Sequence, residues 1–401
     1  MLRSRSSVTA LACAFALACG EDDGAPASPR ATGGSSGADA DGGSGGRSAT
    51  GGSGGAGEAG TTAGRGGSAG ASGTGAEDAG TSAGSGGSLP DAGPDCTLAA
   101  SGPIRVDRDN QVIELLRIES TNGPAIAVEG HSGVVIRNVA IRHAGGPGIE
   151  FSSSDAIRIE NVSIEYTGAP ASGQNPSSDL NNISGYASAR PTITNARLTR
   201  GSSGIYLVES PDSQLSFIEG HDFRGPFPRG QLVQWDKSSN GSLADFSVIN
   251  PASSWPEDNV NVYQSTNVTV RRGLIDGNNS PSGVGVIFDG GPSTGLVEDV
   301  DAVHMGNGCF SDYDGGEGVI FRRTRCRDNV CGSQGRGAPS SNALMWCGHP
   351  DRTALRIEQS SYFAACNPDN VVWPRESFAQ IELSENDFTL RSPIDVALCW
   401  E

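Results

Sequence analysis

The hydrophobic positions between Thr121 and Tyr166 repeat. Thr121–His143 laid over Ala144–Tyr166 aligns without a gap. Gly123-Pro124-Ala125-Ile126 falls over Gly146-Pro147-Gly148-Ile149, and Val135–Ile141 falls over Arg158–Ile164, with Ile136 over Ile159. The period is 23 residues. Inside each period, short alternating runs of β-branched residues sit between Gly, Pro, Ser and Asp, which is the punctuation of strands and turns rather than of helix. The pattern continues beyond the pair. Strand runs are predicted at 192–195, 204–208, 214–218, 231–235, 243–249, 259–263, 268–275, 284–288, 295–303, 318–321, 343–346, 354–357 and 380–383, with an insertion over Gly168–Ser188 and another over Cys366–Ser377.

A fixed period in the low twenties built from strands predicts a solenoid. One such coil cannot bury its own apolar face. Stacked coils can, and each then pairs its backbone with the next about 4.8 Å away. Asn138, Asn161 and Asn195 close an apolar run at matching places, so their side chains are expected to bond from coil to coil as a ladder. On these residues, roughly 104–400 resembles the right-handed parallel β-helix repeat family, the pectin-lyase-like solenoids. The resemblance implies an all-β fold: a single-stranded right-handed parallel β-helix of about nine to ten coils, on the order of 45 Å long. It implies little about chemistry, because fold does not fix function.

Two stretches precede the solenoid. In residues 1–19, Arg3 and Arg5 lead a short apolar run, Val8–Ala18, too short to be a permanent membrane span. The run ends Ala16-Leu17-Ala18-Cys19-Gly20, which resembles a bacterial lipobox with Cys19 as the lipidated residue. The other reading is an ordinary secretory signal, and both export the protein to the cell envelope or beyond. Residues 20–95 are Gly, Ser, Ala and Thr with scattered acids. Such a stretch cannot offset its ordering entropy and is expected to be a disordered tether. The domain reading is therefore 1–19 signal, 20–95 linker and 96–401 β-helix.

Charge narrows the partners. The chain carries −18, of which residues 20–95 hold ten acids against three Arg and residues 1–19 hold two Arg, leaving −13 on 96–401. That opposes nucleic acid, which needs a basic face. It also disfavours a polyanionic glycan unless Ca²⁺ or a local Arg cluster intervenes. Cys96 stands alone at the linker's end, whereas Cys309, Cys326, Cys331, Cys347, Cys366 and Cys399 crowd the last quarter. Without a CxxC pair, and in an exported chain, disulfides among the late coils are expected rather than zinc.

Candidate chemistry gathers at strand ends. Phe288-Asp289-Gly290-Gly291 recurs as Tyr313-Asp314-Gly315-Gly316, with Trp235-Asp236-Lys237, Tyr263-Gln264-Ser265 and Trp346-Cys347-Gly348 in equivalent places. One reading makes the aromatics a core stack and the Asp-Gly pairs turn formers. The other turns the aromatics outward as a sugar platform beside a row of carboxylates. Asp289 and Asp314 would then lie one coil apart, about 5 Å, and Asp236 two coils from Asp289, about 10 Å, near the spacings of retaining and inverting glycosidases. Close carboxylates can also hold Ca²⁺, with Asp312 and Glu317 adding oxygens. Lys237, the chain's one lysine, is either a solvated surface group or a general base for β-elimination. The catalytic candidates are Asp236, Lys237, Asp289 and Asp314. The substrate-binding candidates are Arg229, Trp235, Glu257, Asp258, Tyr263 and Tyr313. His131, His143, His221, His304 and His349 show no ligand spacing, and no Ser-His-Asp set or phosphate loop is visible. The sequence thus points to a surface-tethered β-helix that binds extracellular polysaccharide. Either it also cleaves it as a lyase or glycoside hydrolase, or it is a non-catalytic adhesin or scaffold.

Overall fold

A computed structural model of the protein describes residues 96–401 apart from 172–174, 227–228, 253, 255, 279–282, 314–317, 328–345, 350, 352 and 366–367. The expected signal, Cys19 and the expected tether therefore lie outside the described residues. Each turn of the chain contributes one strand to a long-stranded sheet and one to a short-stranded sheet, of thirteen and eleven strands. Long strands such as Val135–His143, Arg158–Tyr166 and Thr192–Thr199 run eight or nine residues. Short strands such as Ile149–Ser152, Ile205–Val208, Val233–Asp236 and Val260–Tyr263 run four. Neighbours pair in parallel, and Ile136 meets Ile159 as the 23-residue repeat requires. The expected parallel solenoid is the observed fold.

Most of the long strands bend once. The bend is a single residue in the left-handed region: Asn138 (φ 52°), Asn161 (φ 53°) and Asn195 (φ 55°), then Asp245, Arg272 and Asp299 higher in the stack. Asn and Asp tolerate that conformation better than other non-glycine residues. The two arms of each bent strand and the short sheet form three walls around one core. At the bends, Asn161 Nδ2 donates to Asn138 Oδ1 (3.1 Å) and Asn195 Nδ2 to Asn161 Oδ1 (2.8 Å). This is the expected asparagine ladder. Above it the ladder becomes ionic: Arg272 grips Asp245 through two bonds of 2.7 Å, and Arg323 grips Asp299 through two of 2.9 Å.

The alternation of the short strands fills the core. Ile126, Ile149, Ile183, Ile205, Val233, Val260 and Val286 stack in one fully buried column. A second inward column carries bulk: Phe151, Leu207, Trp235, Val262 and Phe288. A serine ladder that the hydrophobic pattern did not reveal closes the turns after six successive short strands, from Ile149–Ser152 to Val284–Asp289. Ser154 N–H donates to Ser188 Oγ, Ser188 to Ser210, Ser210 to Ser238, Ser238 to Ser265 and Ser265 to Ser293.

Two expectations are corrected. The insertion ends earlier than Ser188, because Ile183–Tyr186 is a short strand. Its second inward place is Gly185, where a Cβ would sit 2.4 Å from the Phe151 ring, so the apolar alternation that marks the other strands is missing there. Cys96 is not solitary. It is bonded to Cys399, while Cys309 pairs with Cys326 within the late coils. Cys347 is also disulfide-bonded, and Cys331 and Cys366 lie outside the described residues.

Candidate functional site

Period-two alternation on the short sheet decides which expected residues meet solvent. Val233 and Trp235 point in, so Gln234 and Asp236 point out. Val260 and Val262 point in, so Tyr263 points out. Phe288 points in and Asp289 out. Asp236, Tyr263 and Asp289 are register partners in three successive coils, and Tyr313 follows, its N–H on Phe288 O at 3.1 Å. The outer face thus carries one row, Asp236–Tyr263–Asp289–Tyr313, all half-buried.

Trp235 has no place in that row. It is fully buried, and its indole N–H donates to Ser213 Oγ at 2.8 Å. It is a core residue, because the register aligns it with Val262 and Phe288 rather than with Tyr263. The 25-residue spacing that set Asp314 over Asp289 also slips by one. Phe288 pairs with Asp312, which puts Tyr313 above Asp289. Asp314 and Glu317 themselves lie outside the described residues. Asp312 is fully buried and so is no outer-face oxygen ligand. Among the described residues no group of three or more His, Cys, Asp and Glu is placed to hold a metal ion.

The other candidates divide. Asp258 is buried, accepting from Asn261 Nδ2 (3.0 Å) and from Val284 N–H (2.9 Å), which makes it a loop anchor. Glu257 is half-buried and its N–H donates to Arg229 O (3.1 Å). Asp289 Oδ1 accepts from Gly290 N–H at 2.6 Å, the turn-forming role of an Asp-Gly pair. Gly290 has φ +63°, and a Cβ there would lie 2.2 Å from the Tyr263 ring, so the glycine lets that ring rest on the next coil. Lys237 is exposed at a left-handed turn position (φ 50°) that Ala187, Glu209 and Gln264 occupy in neighbouring coils. It is one residue from Asp236.

The structure adds residues that the motif search passed over. Tyr206, outward between Ile205 and Leu207, carries the Arg229 guanidinium 4.2 Å from its ring centre and stands edge-on to Tyr186 at 6.3 Å. Its hydroxyl lies 3.4 Å from Asp236 Oδ2. Arg229 Nη1 donates to Gln234 Oε1 at 3.1 Å. Glu150 lies on the same face, lower in the stack. A polar residue flanked by buried β-branched ones at Ile149-Glu150-Phe151 and Ile205-Tyr206-Leu207 was the available signal.

Loop residues wall part of this face. Arg229 covers the Tyr206 ring, and behind it Asn175 N–H donates to Arg224 O (2.8 Å) and Arg224 Nη1 to Pro170 O. The titratable groups of the face are partly buried, and they respond. Burial pushes the Tyr206 hydroxyl up to about 12, against the pull of Arg229. Burial also raises the Asp236 carboxyl, against the nearby Lys237 charge and the Tyr206 hydroxyl. It raises Glu150, helped by Asp179 and Glu129, and Tyr186. Burial thus favours the neutral acid at Asp236 and Glu150. Such shifted groups gathered in one walled face mark a candidate site.

A family described as "Right handed beta helix region" matches residues 103–226. No curated protein matches the chain. Among solved structures, an alginate lyase from Paenibacillus sp. str. FPU-7 is similar at 13% identity and TM-score 0.35, over 67% of this chain and 98% of that one. The catalytic domain of a GH87 alpha-1,3-glucanase in complex with nigerose is similar at 8% and 0.38, over 73% and 63%. The Dettilon tailspike protein (gp208) is similar at 9% and 0.33, over 72% and 62%. At such identities none of their chemistry transfers to this chain.

Proposed function

We propose that this chain is an exported, surface-tethered β-helix that binds extracellular polysaccharide along the outer face of its short sheet. The observation that carries this reading is the half-buried outer row Asp236, Tyr263, Asp289 and Tyr313, with Tyr186 and Tyr206 beside its lower end. A tyrosine offers a sugar ring an apolar surface and a polar edge at low entropic cost. Carboxylates and Arg229 supply hydrogen bonds to hydroxyls. A polymer running parallel to the axis would meet one such group about every 4.8 Å. On the same reading Cys19 is acylated and holds the protein at a membrane, and Cys19→Ala moves it to the soluble fraction.

A second reading, cleavage, is favoured by Asp236. Burial raises its carboxyl, and a raised carboxyl is the direction a glycosidic proton donor needs. Asp289, two coils away at about 10 Å, is the nearest described carboxylate of the row. Both readings face one experiment: a screen of neutral and acidic glycans, with and without Ca²⁺, scored for binding and for new chain ends. Tyr263→Ala should weaken binding while shifting stability by less than about 1 kcal/mol. Asp236→Asn should abolish new chain ends if the protein cleaves, and alter only affinity if it does not. Retained binding in Tyr263→Ala and in Tyr206→Ala would overturn the placement of the site.

A further inference from the structure

Residues 386–401 leave the last coil and run back outside the stack, over the bends of the long strands. Asn386 N–H donates to Tyr362 O (2.9 Å). Arg327 Nη1 donates to Phe388 O (2.8 Å), and Arg325 covers the Phe388 ring at 4.6 Å. Farther along, Arg391 N–H donates to Asp301 Oδ2 (2.7 Å). Glu219 Oε2 then accepts from Val396 N–H (3.1 Å), Arg197 Nη2 donates to Val396 O (2.7 Å), and Asn195 Nδ2 donates to Ala397 O (3.0 Å). Arg197 closes on Glu401 with bonds of 2.6 and 2.8 Å. Val396 and Leu398 are buried, and Cys399 ends beside Asn138 (3.7 Å), bonded to Cys96.

The strap has little slack. From the strand of Tyr362 to that of Asn138 is eight strand spacings, about 38 Å. Thirteen peptide steps from Asn386 to Cys399 reach about 43–47 Å when fully extended. Cys399 can therefore meet Cys96 only across a complete stack. The coil it reaches needs holding. Its first strands, Ala99–Ser101 and Ile104–Arg105, are three and two residues long and largely exposed. Short, exposed, terminal pairings are where a stack frays.

The anchor at Glu219 is well made. Burial works against its charge, yet bonds from His221, Val396 N–H and Arg197 bring the carboxyl down to about 2. The two disulfides with both partners among the described residues differ in reach. Cys309 and Cys326 are fully buried, whereas Cys96 and Cys399 are half-buried.

We propose that residues 386–401 and the Cys96–Cys399 bond form a clasp that holds the first coils against fraying, and that a dithiol opens this bond before the Cys309–Cys326 bond. In the opening step a thiolate of the reagent attacks one sulfur of the pair, and its second thiol then displaces the protein sulfur. The reagent leaves as a disulfide, and Cys96 and Cys399 become two thiols.

Hydrogen exchange on the full mature chain tests the clasp, alone and after titration with dithiothreitol, with mass labelling of the thiols released. The expected result is labelling of Cys96 and Cys399 before Cys309 and Cys326. Exchange over 98–143 should then quicken about tenfold or more while 268–303 is unchanged. Cys399→Ser should reproduce the reduced pattern without reductant. Should that variant fail to fold, the reduction arm, begun from oxidised folded protein, decides alone. Unchanged exchange over 98–143, equal loss of protection in all coils, or earlier labelling of Cys309 and Cys326 would each overturn the clasp. None of these readings depends on whether a glycan binds.

Discussion

Asn161 shows what a single position does in this stack. It takes the left-handed conformation that an ordinary side chain enters at a cost of about 1–2 kcal/mol, and it bonds both ways along the asparagine ladder. His143 shows the opposite economy, a titratable group kept neutral. It is fully buried, with Nδ1 2.7 Å from Gly146 O and Nε2 3.2 Å from Asn182 Nδ2. A neutral ring protonated on Nδ1 satisfies both. Burial lowers its pKa from 6.5 to about 4, against the Gly146 bond. Below 6.5 the unfolded chain takes up the proton that the folded chain refuses, so stability rises with pH between about 4 and 6.5 and is level above. At pH 4 the loss relative to pH 7 is about 3 kcal/mol from this residue. Denaturant titrations at the two pH values should show it, and His143→Asn should shrink the difference. An equal difference in the variant would assign it to other groups.

At the scale of the strand, alternation was legible, and register only where the 23-residue repeat held, as for Ile136 over Ile159. The runs around Val260 and Val284 were readable because β-branched residues recur every second place, and their boundaries differ from the observed strands by one residue. The same alternation permitted Trp235 and Tyr263 to be grouped by chemistry, although one points in and the other out. Only pairing with the next coil separates them, since a slip of one residue exchanges the faces. The consequence is measurable. Trp235→Ala should cost about 3–5 kcal/mol, as buried aromatic truncations do, without touching the outer row. Its melting curve should fall far below that of Tyr263→Ala, and similar small shifts for both would contradict the register.

For the whole molecule, stability belongs to the stack. Charge ladders tie its coils along the axis, as where Arg142 lies 3.8 Å from Glu119 and 3.4 Å from Glu165. Each exposed pair is worth little alone, and their arrangement mainly favours one stacking register. Residues 20–95 supply no apolar run, so a protein beginning at Cys96 should keep the β signature and melting temperature of one beginning at residue 20. A large fall in melting temperature would show that the linker packs. What the sequence determined by itself was the solenoid, because a 23-residue period and its apolar alternation are local properties of the chain. It also determined the asparagine ladder, which needs only that each Asn hold the same place in its apolar run. The tertiary structure alone decided that Tyr206 and Arg229 close over Asp236, that Cys96 reaches Cys399 across 303 residues, and which aromatics meet water. Each of these depends on the inter-coil register and on loops of unequal length, and a repeat carries no record of either.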